Sequence, residues 1–432
     1  MLPVSNDRVR ELFFTGNFGL EKEGLRVTPD GFFAQTPHPF PGDKHIVRDF
    51  SENQTEINTP VFSSAEETIA SLTDYTAYIH KTLAGLDPPE LYWPLSNPPY
   101  IRREPDIPIA QFYGDEAYKT AYREHLTDVY GRYKMTVSGI HVNYSFSDEL
   151  LKEAYLAQAP GWNDRDFRLF KDQLYLSLAA HLCRYGWLVT AVTAASPILD
   201  SSFIEKGILG NDVFLGFASL RCSELGYWNL FVPAFDYTNI EKYCESIRNY
   251  VDNGLIASAS ELYYPIRIKP RGTNTLEHLM ERGADHIELR NVDVNPFCFA
   301  GLDLRDLKFI QYFILYLASC PPLEFPANHQ ILAAQNFKHA ARYDLQSVNI
   351  LQPGGQAKSV VDTALEVLER MEEFYKVFPA DSDRDAVLQF EKEKFVNPDT
   401  RYAWQIRKHF CANYVQNGLE LAEQRRQEAM EL

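Results

Sequence analysis

Gly19-Leu20-Glu21-Lys22-Glu23-Gly24-Leu25-Arg26-Val27 sets two glutamates one residue apart. In a strand, where successive side chains alternate between faces, both carboxylates project from the same side. Such a pair can open a metal site. A wet surface strand carries the same alternation, and with 59 acidic residues in 432 an isolated Glu-x-Glu does not choose between the two. Two later segments add to it. Asp49-Phe50-Ser51-Glu52-Asn53-Gln54-Thr55-Glu56-Ile57-Asn58-Thr59-Pro60 mixes carboxylates with Phe50 and Ile57, so it can be an ordered segment as well as a solvated loop. His286-Ile287-Glu288-Leu289-Arg290-Asn291-Val292-Asp293 reads as a strand with Glu288 and Arg290 on one face and Ile287 and Leu289 on the other. An acid beside a base suits a site for phosphate and metal together.

Strand-like alternation is clearest at about 18–28, 133–146, 258–269 and 285–294. Helical periodicity is clearest at about 66–85, 115–129, 166–185, 303–319, 327–342, 358–377 and 400–428, with Asp303 placed to cap one start. The strands hold nearly all the chemically interesting residues, and the helices read as scaffold. In Tyr133–Phe146, Ile140, Val142, Tyr144 and Phe146 take one face, suited to packing against helices, and His141, Asn143 and Ser145 take the other. A lone histidine is often just a hydrogen-bonded core residue. Here its polar neighbours imply a face that lines something polar.

No Pro/Gly/Ser-rich linker, charge block or repeat divides the chain, so one domain spanning 1–432 is expected, with about 303–432 as a mainly helical extension of it. A formal charge of -17 argues against a nucleic-acid surface. The short run Arg267-Ile268-Lys269-Pro270-Arg271 is large enough only for a nucleotide's phosphates. The first residues lack a signal-peptide pattern and no apolar run is long enough to span a bilayer, which predicts a cytoplasmic protein with no membrane partner. The six cysteines form no C-x-x-C pair, against structural zinc and a disulfide framework. P-loop, dinucleotide, nucleophile-elbow and H-E-x-x-H motifs are absent from the sequence.

Seven blocks occur in order from about 18 to 300: Gly19–Val27, Trp93–Ile101, Ser138–Ser145, Ser219-Leu220-Arg221, Leu225-Gly226-Tyr227, Glu261-Leu262-Tyr263 and Ile287–Arg290. Together they resemble the bacterial glutamate–cysteine ligase (gamma-glutamylcysteine synthetase) family. The resemblance implies an α+β fold: a glutamine-synthetase-like curved antiparallel sheet forming a funnel, with helices packed on its outer side. It also implies an ATP-dependent carboxylate–amine ligase that joins the glutamate γ-carboxylate to the amine of cysteine. A carboxylate is a poor acyl electrophile, so ATP must first convert it to gamma-glutamyl phosphate, which the amine then attacks.

By that resemblance Glu21, Glu23, Asp49, Glu56, His141 and Glu288 fall on metal-binding positions, and Glu52 matches an acid of the same block without a defined role. Oxygen-rich ligation suits Mg2+, and the histidine suits Mn2+ as well. Arg290 is expected to act with Glu288 in catalysis by neutralising charge on the phosphoryl group or the tetrahedral oxyanion. Arg267 and Lys269 are candidates for contacts to ATP, or else structural ion pairs. Tyr122, Arg221, Tyr227 and Tyr263 match the cysteine pocket, in which Arg221 would clamp the α-carboxylate. The expected partners are L-glutamate, L-cysteine and ATP, and the expected state is a monomer. No appended ATP-grasp domain is expected, so glutathione synthetase activity is expected to require another chain. Competing readings keep the ligase chemistry with another small amine, replace it by guanidino phosphotransfer, or reduce it to metal or nucleotide binding without turnover.

Overall fold

The computed structural model describes residues 1–159, 161–355 and 357–432. Its strands before residue 300, in chain order, are β1 (Gly16–Val27), β2 (Ile46–Arg48), β3 (Gln54–Asn58), β4 (Leu91–Tyr92), β5 (Gly139–Phe146), β6 (Ile198–Asp200), β7 (Asp212–Phe214), β8 (Ile266–Lys269) and β9 (His286–Asp293). Seven of them make the main sheet in the order β2-β3-β1-β5-β9-β8, with β4 added alongside β1, and β6 and β7 form a small separate ribbon. Each pairing in the main sheet is antiparallel. An antiparallel sheet can bury one face and leave the other to polar chemistry.

The alternation in β5 does this. Ile140, Val142, Tyr144 and Phe146 are fully buried and join Phe18 and Leu20 of β1 and Ile287 and Leu289 of β9 in the principal core. Helices Asp164–Tyr185, Trp187–Thr193 and Leu304–Ser319 supply the opposing apolar surface. Beyond Glu23, the face of β1 that carries the glutamates is covered by a second core containing Leu25, Val27, Trp93 and Tyr414. The polar face is therefore open only over part of the sheet. On the opposite side of β1, Arg26 is buried in a 2.7 Å ion pair with Glu90.

Several elements depart from the sequence reading. The stretch 133–138 is not strand: a 3-10 turn at Lys134–Thr136 precedes β5. Of 258–269 only Ile266–Lys269 is strand, since Ala259–Glu261 is a 3-10 turn and Pro265 brings no N–H to a ladder. The expected helix 400–428 is two, Tyr402–Phe410 and Tyr414–Glu431, separated where Ala412 takes a left-handed φ of 76°. Asp303 does cap its helix, accepting from Arg305 N at 2.9 Å. Between 303 and 432 the described residues form helices joined by loops, with one short ribbon at Asn349–Leu351 and Ala357–Ser359. Among the described residues no helix is long and apolar enough to cross a membrane.

Candidate active site

Register places the acids. Glu21 of β1 lies opposite His141 of β5, Glu23 opposite Glu56 of β3, and Asn143 of β5 opposite Glu288 of β9. The ladder between β5 and β9 breaks after Ile140↔Val292 and resumes at Val142↔Leu289, so Arg290 and Asn291 oppose the single residue His141. Such a bulge re-aims a side chain at the expense of one ladder step. Alternation already puts Arg290 on the acid face with Glu288, where its Nη1 donates to Glu288 Oε1 at 3.1 Å; what the bulge turns is Val292, which returns to the core face opposite Ile140.

His141 is the hub. Its Nδ1 lies 2.9 Å from Glu21 Oε2 and 3.9 Å from Glu288 Oε1, and its Nε2 lies 3.7 Å from Glu23 Oε1. Burial and the nearby Arg290 push the imidazole down to about 4, so it is neutral at physiological pH. An ionised Glu21 can only accept, which fixes the proton on Nδ1 and leaves a lone pair on Nε2. That Nε2 and Glu288 Oε2 are buried atoms with no protein partner. A buried polar atom left unpaired is costly.

Electrostatics point the same way. Burial, with the charge of Asp49, pushes Glu23 up to about 7. Burial and then the charges of Asp49, Glu21 and Glu23 raise Glu56 well above the usual carboxylate range, and burial raises Asp49. Burial and Glu288 act to raise Glu21, but the hydrogen bond from His141 holds it below its ordinary value. Burial also acts to raise Glu288, and is outweighed by Arg290, Lys269 and Arg267, which hold it well below that range. Ligand atoms of Glu21, His141 and Glu288 lie within 4.8 Å of one another. Carboxylate oxygens with one imidazole lone pair, crowded until some acids retain protons, fit a divalent cation that would relieve their repulsion.

One cavity of about 240 Å³ is lined by Glu21, Glu23, Asp49, Glu56, His141 and Arg290 on its acid side and by Tyr122, Arg221, Tyr227 and Tyr263 on the other. Arg221 reaches it by donating from Nη1 to the Arg290 carbonyl, and Tyr227 donates to Val137 O at 3.2 Å. Glu288 is fully buried and does not itself line the cavity; it lies behind it, in contact with His141 and Arg290. Lys269 lies 3.3 Å from Glu288 Oε1 and lines a second cleft of about 580 Å³ on the far side of Glu21, with Asn17, Asn143, Ser145, Arg271 and His286.

Two residues singled out by sequence sit elsewhere. The Arg267 guanidinium is tied to the carbonyls of Leu262 and Ser260 and lines a separate small cavity. Glu52 faces away from the acids, accepting from His38 N and pairing with Arg48. The sequence reading missed Arg123, which lines the acid cavity and donates from Nε to the Asp49 carbonyl at 2.6 Å. It follows Tyr122 directly, so the signal was present. Trp228 and Asn291 were likewise missed as lining residues.

The family model described as Glutamate-cysteine ligase matches residues 2–255 and 230–340. The chain belongs to the glutamate–cysteine ligase family. Over 367 residues it is 34% identical to a glutamate–cysteine ligase of Clostridium acetobutylicum, covering 73% of this chain and 74% of that protein. Over 414 residues it is 34% identical to the glutathione biosynthesis bifunctional protein of Listeria monocytogenes, covering 93% of this chain and 53% of that one. The chain thus spans about half the length of the bifunctional relatives it matches. Among solved structures, a bifunctional glutathione synthetase from Pasteurella multocida superposes on the whole chain and 55% of its own, with a TM-score of 0.84 and 27% identity. A Francisella tularensis glutamate–cysteine ligase in complex with AMP superposes over 97% of this chain and 89% of its own, with a TM-score of 0.84 at 22% identity. These likenesses establish the antiparallel α+β architecture of the family for this chain.

Proposed function

We propose that this protein ligates the γ-carboxylate of L-glutamate to the amine of L-cysteine at the cost of ATP, through gamma-glutamyl phosphate. The observation that carries this reading is the cavity in which an acid face whose residues fit a divalent cation meets an Arg- and Tyr-lined pocket, with Arg290 among the lining residues of the acid side. Glu21, His141 and Glu288 would hold the divalent cation, Mg2+ in this reading, with Glu23, Asp49 and Glu56 beside them. When bound, the cation would screen phosphate charge and draw electron density from phosphorus. Nucleotide would enter from the cleft beyond Glu21, where Lys269 and Arg271 supply positive charge.

A γ-carboxylate oxygen attacks the terminal phosphorus, and ADP leaves. The amine nitrogen then attacks the acyl carbon, a proton leaves the nitrogen, and phosphate departs with the former carboxylate oxygen. Arg290 would offset charge on both the transferring phosphoryl group and the tetrahedral oxyanion. Arg221 would fork onto the acceptor α-carboxylate, and Tyr122, Tyr227 and Tyr263 would bound its short side chain. The reading places the reaction in the cytoplasm, where the six unpaired cysteines stay thiols.

The test is to mix the protein with ATP, Mg2+, glutamate labelled with oxygen-18 in its side chain and a panel of small amines. Cysteine should be the preferred acceptor, and label should appear in released phosphate. Label confined to amide and residual glutamate would exclude the acyl phosphate. Faster amide formation with a bulky or carboxylate-free amine would leave ATP chemistry standing and overturn the acceptor assignment.

A further inference from the structure

Helix Tyr118–Tyr130 carries Tyr122 into the acceptor pocket but buries only Leu126 among its own residues. Apolar packing alone does not explain its fixed seat. Polar contacts add to it: Arg123 donates to the Asp49 carbonyl at 2.6 Å, and His125 and Tyr130 in the second half of the helix both meet Glu261, which is only 1% exposed. Its Oε1 accepts from the Tyr130 hydroxyl at 3.0 Å, and its Oε2 accepts from Ala257 N at 2.7 Å and lies 2.9 Å from His125 Nε2. Asn229 completes the set. Its Nδ2 donates to the Glu261 carbonyl at 2.8 Å and to the Tyr130 hydroxyl at 3.1 Å, and its Oδ1 accepts from Tyr263 N at 2.8 Å.

The chemistry allows one arrangement of donors. A carboxylate only accepts, so the single Tyr130 hydroxyl proton points to Glu261 and its oxygen receives the Asn229 amide. That orientation turns the Asn229 carbonyl oxygen to Tyr263. The Tyr130 ring then meets the Tyr263 ring edge-on at 5.2 Å, and Tyr263 lies 5.7 Å from Tyr227. Fully satisfied buried networks fix side chains more firmly than apolar contacts of the same size.

We propose that Glu261 is the positioning residue of the acceptor pocket, joining the helix that bears Tyr122 to the segment that bears Tyr263 so that both close on one small amino acid. The inference rests on the ligase reading above. A pocket with so few contacts loses affinity steeply when its walls shift by about an ångström. Glu261 itself does not line the cavity, so its effect is exerted through Tyr263 and Tyr122.

The experiment compares Glu261→Gln, Tyr130→Phe and the double variant in the full chain, varying cysteine, glutamate and ATP separately in the presence of Mg2+. Each single variant should raise the cysteine KM about tenfold or more while the KM values for glutamate and ATP stay within about twofold. The double variant should be no worse than the worse single, because both break one network. Tyr130→Phe removes one oxygen and decides the matter if Glu261→Gln does not fold. An active wild type with an unchanged cysteine KM in the variants, or an equal rise for all three substrates, overturns the positioning role. A wild type that forms no amide from glutamate and any amine overturns the ligase reading, and this inference with it.

Discussion

Gly139 begins β5 with no left-handed φ, so an alanine there meets no backbone strain. Its effect falls instead on Arg221. A Cβ at position 139 would lie 2.1 Å from Arg221 Nε and 2.2 Å from Cζ, whereas ordinary carbon contacts sit at about 3.5–4.0 Å. The guanidinium must therefore retreat by more than about 1 Å. The Gly139 N–H bond to Glu23 Oε2 at 2.8 Å survives the change, so the acid face is spared. Losing a charge-assisted contact to the acceptor carboxylate costs about 1.5–3 kcal/mol. At about 1.4 kcal/mol per tenfold, Gly139→Ala should raise the cysteine KM by about 10- to 150-fold. Moving a buried side chain should lower stability by about 1–3 kcal/mol, leaving the fold intact. Steady-state kinetics at saturating ATP and glutamate, with a thermal melt of the same preparation, measure both effects. A folded variant whose cysteine KM stays within twofold refutes the role given to Arg221. An equal rise in the glutamate KM would move Arg221 to the donor.

Glu21→Gln and Glu288→Gln should each reduce turnover by at least about 100-fold at saturating Mg2+; near-normal rates in both, or full activity after exhaustive EDTA treatment, would remove the cation assignment. Burial would raise Asp285, but hydrogen bonds from His286 and Lys171 with the Lys171 charge hold it at about 2 against 3.8, a shift that solvent screening at this half-buried site reduces to about 1 kcal/mol. Because the folded value is the lower one, that stability is present above pH 3.8, and is lost as pH falls toward about 2. Asp285→Asn should be less stable than wild type by that amount at pH 7 and converge with it in acid, and parallel urea titrations would show otherwise if the carboxylate contributes nothing. Gly418→Ala should destabilise, although alanine favours an exposed helix by about 1 kcal/mol, because its Cβ would lie 2.2 Å from Trp93 Cη2; a raised melting temperature would contradict the packing described for the second core.

The acid face was legible because alternation in a strand is a strong local signal. Glu21 with Glu23, Glu288 with Arg290, and the split between Val142 and His141 follow from period two alone. What sequence could not show depended on distant partners. The helix Trp187–Thr193 is buried on all sides and carries no apolar stripe to read, and helices Ile240–Asp252 and Ser382–Val396 were passed over. The bulge that sets Arg290 and Asn291 opposite His141 and returns Val292 to the core exists only in the pairing of β5 with β9. Arg267 alternates correctly with Lys269, yet carbonyls of a turn that no periodicity predicts capture its guanidinium. Glu261 belonged to a block read for its tyrosine, and its buried acceptor role needed Tyr130 and Asn229 in place.

The strand order carries a consequence for how the chain becomes an enzyme. Glu21 meets His141 across 120 residues of sequence, and Arg290 and Lys269 arrive on the last two strands of the sheet. During synthesis from the N-terminus, the crowded carboxylates of β1 and β3 are present well before Arg290 and Lys269, the cations that hold Glu288 ionised beside them. Pairings so far apart in sequence close slowly. The acid face should therefore be among the last regions to settle, and divalent cation present during refolding should speed that final step without altering the earlier ones.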